Sequence, residues 1–137
     1  MNLNITKSHV LCFLCGGLAV LGLNAQAPNH VFELRTYTAP AGKLDALEAR
    51  FRDHTEAIFK RHGLHAIGYW VPEDNKDNHF IYIVEHKSKE DAAKNWAAFQ
   101  ADEEWKKVRA ASEANGPLTT KPPESVYMDP TDFSKLK

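Results

Sequence analysis

The stretch VFELRTY at residues 31–37 predicts a β-strand, because it is rich in aromatic and β-branched side chains. Pro40 and Gly42 end this strand. Over residues 43–62 the pattern changes, and apolar side chains recur at three- and four-residue intervals, as on the buried face of a helix. Gly63 ends that helix. The sequence therefore predicts a strand followed by an amphipathic helix.

The rest of the chain predicts three more strands and a second helical region. Ser88 begins the helix as the first residue of a capping box, and Asp102 is expected to break it and to cap its continuation over residues 103–113. A polar loop at residues 73–78 joins the second strand to the third. The three strands are expected at residues 66–71, 80–86 and 125–128.

The resulting order, β-α-β-β-α-β, is typical of a ferredoxin-like α+β fold. In this fold a four-stranded antiparallel sheet carries its helices on one face. The other face is polar when such a protein is a monomer, so each strand then alternates between apolar and polar side chains. The strands of this chain do not follow that alternation.

Apolar side chains occupy both faces of the predicted sheet. In the second strand we expect Tyr69 to share a face with Ile67, and Trp70 with Ala66. A bare face of this kind would rival the largest apolar patch of a soluble monomer, roughly a few hundred Å². We therefore expect a second copy of the chain to cover it across a two-fold axis. The alternative is that the C-terminal tail of the same chain folds over it. Alternate positions of the third strand are also apolar on both sides: Ile81 and Ile83 against Phe80, Tyr82 and Val84.

The first 27 residues are typical of a secretory signal peptide. Lys7 is their only charged side chain, residues 10–23 form an uncharged apolar run, and Ala25-Gln26-Ala27 places small residues where a signal peptidase cleaves. The run is shorter than the roughly 20 residues that cross a bilayer as a helix, so no membrane anchor is expected after cleavage. We expect one mature domain, residues 28–137, in the periplasm or outside the cell.

Composition narrows the possible partners of that domain. Cleavage would remove Cys12 and Cys15, the only cysteines, and with them any disulfide or thiolate metal site. The histidines form neither H-x-x-x-H nor H-E-x-x-H, so no metal site is predicted, and no cofactor is evident. A formal net charge of −1 for the whole chain argues against nucleic acid and anionic membranes as partners.

Several motifs resemble those of the NIPSNAP family. The opening strand matches its E-L-R-x-Y pattern at residues 33–37, and a turn like its P-G-K turn follows at residues 40–43. The closing VYMDPTDFS, residues 126–134, is similar to the ending of exported bacterial members. Two further matches are Gly68-Tyr69-Trp70 and the segment DEEW at residues 102–105. The resemblance implies a dimeric α/β-barrel fold but no activity, because the family has no generally established catalytic residues.

Two hypotheses for function follow. The first is a secreted homodimer that binds a small ligand or a protein partner without catalysis. The alternative is a cofactor-independent or haem-handling enzyme similar to the monooxygenases of the dimeric α/β-barrel type. A roomy cavity that holds His54 and a polar partner would favour the enzyme, whereas a filled interface between helices and sheet would favour the binding protein.

Charged residues in the first strand are the most unusual local feature. Glu33, Arg35 and Tyr37 share one face of the strand, and Phe32 and Leu34 share the other. We expect the apolar pair to face the helices. Glu33 and Arg35 would then face the second copy, where burial requires them to form an ion pair. The alternative is that Arg35 anchors a ligand.

His54 is the second candidate. It lies three residues after Phe51 and four before Ile58, at the border of the apolar stripe, and is expected to face the space between helix and sheet. In related barrels haem or small aromatic substrates bind in that space. The alternative is a histidine at the edge of the core, bonded to a backbone carbonyl. The candidate pocket residues are His54, Arg35, Tyr37, Trp70 and Tyr82.

Overall fold

The computed structural model describes residues 30–137 and confirms the ferredoxin-like α+β fold. Its sheet has the strand order β2-β3-β1-β4, with every neighbouring pair antiparallel. None of the helices in this range is long and apolar enough to cross a membrane. The strands are β1 (Val31–Thr38), β2 (His65–Trp70), β3 (His79–His86) and β4 (Glu124–Met128). The helices are α1 (Leu44–Arg50), α2 (Glu56–Arg61), α3 (Lys89–Ala101) and α4 (Glu103–Ser112).

The first helical region is not one uninterrupted α-helix. A π-helical turn, Phe51–Thr55, joins α1 to α2. The Thr55 hydroxyl is buried and donates a hydrogen bond to the backbone carbonyl of Arg50, 3.2 Å away. π-Helical turns occur frequently at functional sites, so this turn suggests that a functional site lies near Arg50.

The second helical region follows the prediction. Ser88 caps α3 by accepting a hydrogen bond from the Asp91 backbone N–H at 3.1 Å. Asp102 ends α3 and caps α4, since its carboxylate accepts from the backbone N–H groups of Glu104 and Trp105 at 2.8 and 2.9 Å.

The core lies between the helices and the sheet, and large side chains fill it. Rings from β3 pack against rings from the helices: Phe51 lies 4.9 Å from Phe80 and 5.2 Å from Tyr82, centroid to centroid. Such contacts stabilise the fold beyond the burial of their apolar area. The largest fully buried apolar side chains are Tyr82, Phe59, Leu47, Ile58, Leu64 and Leu118.

The orientation of β1 is opposite to the prediction. Glu33 pairs with Val84 and Arg35 with Tyr82, and directly opposed residues of an antiparallel pair share a face. Since Val84 and Tyr82 face the helices, Glu33 and Arg35 face them as well. The expectation that these two residues lie on the side away from the helices was wrong.

A β-bulge changes the orientation of β2. The register with β3 shifts between Ala66 and Gly68, so Ala66 and Tyr69 both face the helices. Trp70 pairs with Ile81 on the opposite face, where its indole ring lies against Gly68. The prediction that Ile67 shares a face with Tyr69 was therefore wrong, because strict alternation assumes an unbroken ladder.

The face of the sheet away from the helices is apolar and partly uncovered. At one end the C-terminal segment, residues 129–136, lies across Phe32 and Ile83 and encloses a pocket of about 260 Å³. Elsewhere the face is open: Trp70 is 49% exposed and Val126 is 55% exposed. We call this surface the outer face; its apolar members are Phe32, Leu34, Ile67, Trp70, Ile81, Ile83, Val126 and Met128.

Candidate functional site

A buried carboxylate organises the helix side of β1. Glu33 is 1% exposed and accepts hydrogen bonds from side chains of β1, β3, β4 and α3. The donors are Arg35 Nη1 at 2.8 Å, His86 Nε2 at 2.9 Å, Trp96 Nε1 at 2.7 Å and Ser125 Oγ at 2.6 Å. Because a buried carboxylate must be satisfied, these contacts explain why Glu33 lies on this side of the sheet.

The same contacts determine the charge of Glu33. Burial by itself would raise the pKa of this carboxyl, but the hydrogen bonds from His86, Ser125 and Arg35 outweigh burial and lower the pKa from 4.5 to about 2. Glu33 is therefore ionised at any physiological pH. It is a structural anion that holds the Arg35 guanidinium in place, and it is too weak a base to take up a proton near neutrality.

Arg35 lies between this carboxylate and an aromatic ring. Its guanidinium carbon lies 4.4 Å from the centroid of the Trp96 ring, and Nη1 makes the ion pair with Glu33. Its Nε is buried and has no hydrogen-bond partner among the described residues. The ion pair expected from the sequence is thus present in the structure, on the helix side of the sheet, and one donor of Arg35 remains available.

Arg50 repeats this arrangement and was missed in the sequence. Its side chain is 4% exposed, Nη1 donates to Glu113 Oε1 at 3.0 Å, and the guanidinium lies 5.2 Å from the centroid of Trp105. Its Nε is also buried and has no hydrogen-bond partner within residues 30–137. The spacing carried a signal: Arg50 follows Leu47 by three residues, which puts it on the buried stripe of α1.

These two arginines line one small polar pocket, which we call the arginine pocket. It has a volume of about 110 Å³ and lies beside the C-terminal half of α4. Arg109 of α4 and Glu113, which follows that helix, form part of its wall and pair with each other at 3.3 Å. Its principal members are Arg35, Tyr37, Arg50, Trp105, Arg109 and Glu113. The pocket brings together two of the predicted candidates, Arg35 and Tyr37, with groups that the sequence did not single out.

His54 does not face the space between helices and sheet, so that prediction was wrong. The buried positions of the π-helical turn are Phe51 and Thr55, and His54 between them is exposed. It lines an external groove of about 560 Å³ between α1 and α4, together with Lys107.

The remaining candidate residues from the sequence, Trp70 and Tyr82, do not lie together in the structure. Trp70 lies on the outer face, away from the arginine pocket. Tyr82 is fully buried, and its hydroxyl donates to that of Tyr37 at 3.3 Å. Burial raises the pKa of Tyr82 well above its ordinary value, so it stays protonated. Tyr82 is therefore a core residue, while Tyr37 connects the core to the arginine pocket.

A second cleft, of about 360 Å³, opens between the π-helical turn and the β2–β3 edge of the sheet. Rings of Phe51, Tyr69 and Phe80 line it, and the Tyr69 hydroxyl donates a hydrogen bond to Glu56. Burial and the neighbouring Glu56 carboxylate raise the pKa of Tyr69, which keeps this phenol protonated. We call it the aromatic cleft.

Together these features define what the site can do chemically. The arginine pocket presents permanently charged hydrogen-bond donors whose planes are fixed by stacking on tryptophans, so it is suited to binding an anion. In residues 30–137 no three His, Cys, Asp or Glu side chains stand close enough together to hold a metal ion.

Comparisons with known proteins agree with the fold. The NIPSNAP family model matches residues 32–135. A NIPSNAP family protein of unknown function from Agrobacterium tumefaciens is 26% identical, with 80% of this chain and 96% of that chain covered and a TM-score of 0.70. An uncharacterized NIPSNAP-like domain protein from Burkholderia xenovorans is 20% identical over 78% of this chain and 90% of its own, with a TM-score of 0.69.

A more distant similarity extends to an enzyme fold. A Streptomyces coelicolor monooxygenase, solved in complex with nanaomycin D, is 13% identical over 80% of this chain and 95% of that one, with a TM-score of 0.54. At this identity the similarity concerns the fold alone. No curated protein matches the chain in sequence.

Proposed function

The chain belongs to the NIPSNAP family, and on that premise we propose that it acts as a non-catalytic homodimer that binds a small ligand or a protein partner outside the cytoplasm. The observation that carries this proposal is that large side chains fill the centre of the interface between helices and sheet. Tyr82 and Phe59 are fully buried there, and His54 lies outside it. An enzyme of the monooxygenase type would need space for its substrate at that interface.

The outer face supports the homodimer. Trp70 and Val126 are about half exposed on it, and the C-terminal segment covers only one end. An apolar face of this extent is costly in water, and packing two copies face to face would cover it with the same surface from both chains. The partner in this proposal is therefore a second copy of the chain.

Export is the second part of the proposal. Residues 1–27, which we expect to be a cleaved signal peptide, lie outside the described residues. Intact-mass measurement of the protein recovered from the periplasm or the medium should give a chain that begins at Pro28. Recovery of the full-length chain from the cytoplasm would contradict export.

One observation favours the alternative, an enzyme related to the monooxygenases. The aromatic cleft has room for a small aromatic molecule next to the Tyr69–Glu56 pair, and the overall fold is similar to that of the Streptomyces enzyme. A cofactor-independent or a haem-handling reaction would have to take place in this cleft. We place this function second, because both Tyr69 and the buried Glu33 are held in protonation states unsuited to proton transfer near neutral pH.

Native mass spectrometry and absorbance spectroscopy of the purified protein distinguish the two functions. We expect a dimer that carries a small molecule, with no haem absorbance band and no oxygen uptake when aromatic compounds are added. A haem band on titration with haemin, or oxygen consumption that Tyr69→Phe abolishes, would favour the enzyme. Tyr127→Phe is the matched control, because this exposed tyrosine lies outside the aromatic cleft.

A further inference from the structure

We propose that the arginine pocket is a binding site for a small carboxylate, an inference that rests on the proposed binding function and names its ligand. The side chains of Arg35 and Arg50 line the pocket, and each has a buried Nε–H without an acceptor among residues 30–137. Buried donors are nearly always satisfied in folded proteins, by protein, by water or by a ligand. Two arginines that line one pocket and each keep such a donor therefore point to an acceptor that binds there.

The charges around the pocket favour a single negative charge on the ligand. Arg35, Arg50 and Arg109 supply three positive charges, which the carboxylates of Glu33 and Glu113 offset in part. One positive charge remains. A monoanion would complete the balance without adding an uncompensated charge to a partly buried site.

The geometry of the free donors favours a carboxylate. In both arginines Nη1 is engaged by an acid of the protein, which leaves the edge of the guanidinium that carries Nε. This edge matches the two oxygens of a planar carboxylate, which it can bind with two parallel hydrogen bonds. The Tyr37 hydroxyl accepts from Tyr82 and can donate in turn, so it offers a third donor from β1.

The pocket is also preorganised and small. Trp96 and Trp105 stack on the two guanidinium groups at 4.4 and 5.2 Å and fix their planes before any ligand arrives. Binding then costs little ordering of side chains. A volume of about 110 Å³ admits the carboxylate and a few carbon atoms, which points to a short-chain organic acid.

The direct test is a calorimetric titration of the purified protein with acetate, propionate and succinate, and with inorganic phosphate and sulfate, at constant ionic strength made up with chloride. We expect saturable binding of the monocarboxylates. Phosphate or sulfate that binds as tightly as acetate would overturn the assignment to carboxylates. Absence of saturable binding by every carboxylate would overturn the site.

Two exposed positions provide variants that should fold. Arg109→Ala removes from the pocket wall the positive charge that balances the anion, and it should weaken acetate binding by about tenfold. Lys107→Ala removes the same charge from α4 outside the pocket and should leave the affinity unchanged. Equal losses in both variants would mean that net charge alone attracts the anion, and would overturn the site.

Glu113→Gln distinguishes a ligand site from a purely structural ion pair. It removes the acid that competes for Arg50 and Arg109, so acetate should bind severalfold more tightly while the protein becomes less stable. Glu103→Gln, on the exposed start of α4, should change neither. Loss of acetate binding in Glu113→Gln would contradict the proposal. If no carboxylate binds but the protein is a dimer with another small molecule bound, this inference is wrong and the proposed function is still supported.

Discussion

The side chains on the two faces of β1 find their contacts in different ways. Toward the helices the strand presents Glu33 and Arg35, which are charged, but each finds partners within the same chain. Toward the outer face it presents Phe32 and Leu34, which are apolar, on a surface that the chain itself covers only at one end. The two charges of the charged face thus pair within one copy, whereas the apolar face stays partly uncovered. Polarity alone does not decide which face of a strand is buried.

The largest expected effect comes from breaking the charged face. Arg35→Met leaves the buried Glu33 carboxylate without its counter-charge, and removing one member of a buried pair costs about 3–5 kcal/mol of unfolding free energy. Urea denaturation measures this loss. Arg52→Met is the matched control, because Arg52 is 68% exposed and pairs with Glu48 at 3.6 Å, an interaction worth at most about 1 kcal/mol. Equal losses in the two variants would contradict the account.

Replacing both members of the pair tests how far the charged face depends on Glu33. With Glu33→Met and Arg35→Met together no orphaned charge remains, so part of the lost stability should return. Recovery should be incomplete, because His86, Trp96 and Ser125 also lose their acceptor. Complete recovery in urea denaturation would show that these three donors contribute nothing.

The pH dependence of stability is the next largest effect. Because the folded protein lowers the pKa of Glu33 from 4.5 to about 2, the stabilisation from this group is complete above pH 4.5 and is lost as the pH falls toward 2. The shift corresponds to about 3 kcal/mol. Unfolding free energies measured between pH 2 and 6 should show this loss, and Glu33→Gln should remove it. If the unfolding free energy of Glu33→Gln falls between pH 6 and 2 as much as that of the wild type, the loss comes from other carboxyl groups and not from Glu33.

A substitution on the outer face should lower the unfolding free energy of one copy less than a substitution of Glu33 or Arg35. In Gly68→Ala the new Cβ would lie 2.6 Å from Cη2 of Trp70, so the indole must move. Since this ring is half exposed, the move should cost about 1 kcal/mol. Thermal denaturation of Gly68→Ala in the wild-type and Trp70→Phe backgrounds measures the coupling. A cost that persists without the indole would mean that the backbone of β2, and not Trp70, resists the substitution.

The sequence predicted the elements of the fold because their signals are local. Aromatic and β-branched runs marked the strands, and hydroxyl and carboxylate caps marked the starts of α3 and α4 at Ser88 and Asp102. The presence of apolar residues on both sides of the sheet also follows from alternation alone. These features need no knowledge of which elements touch.

The orientation of the strands and the site could not be predicted, because they depend on contacts between distant residues. The donors to Glu33 come from positions up to 92 residues away, and they decide which face of β1 meets the helices. The bulge in β2 breaks the alternation that the prediction assumed for Tyr69. Arg50 carried a local signal, its place on the apolar stripe, but its burial depends on Trp105 and Glu113, which come from a distant part of the chain.

Sedimentation equilibrium of Val126→Glu tests the central claim, that the charges on one face of the sheet pair within the chain and the apolar other face requires a second copy. We expect the wild-type protein to have twice the mass of one chain at micromolar concentration, and Val126→Glu to be a folded monomer, since the change puts a charge on the exposed part of the outer face. Ala97→Glu, on the exposed side of α3, is the matched control and should remain a dimer. A wild-type monomer, or a Val126→Glu variant that dimerises as tightly as the wild type, would contradict the account.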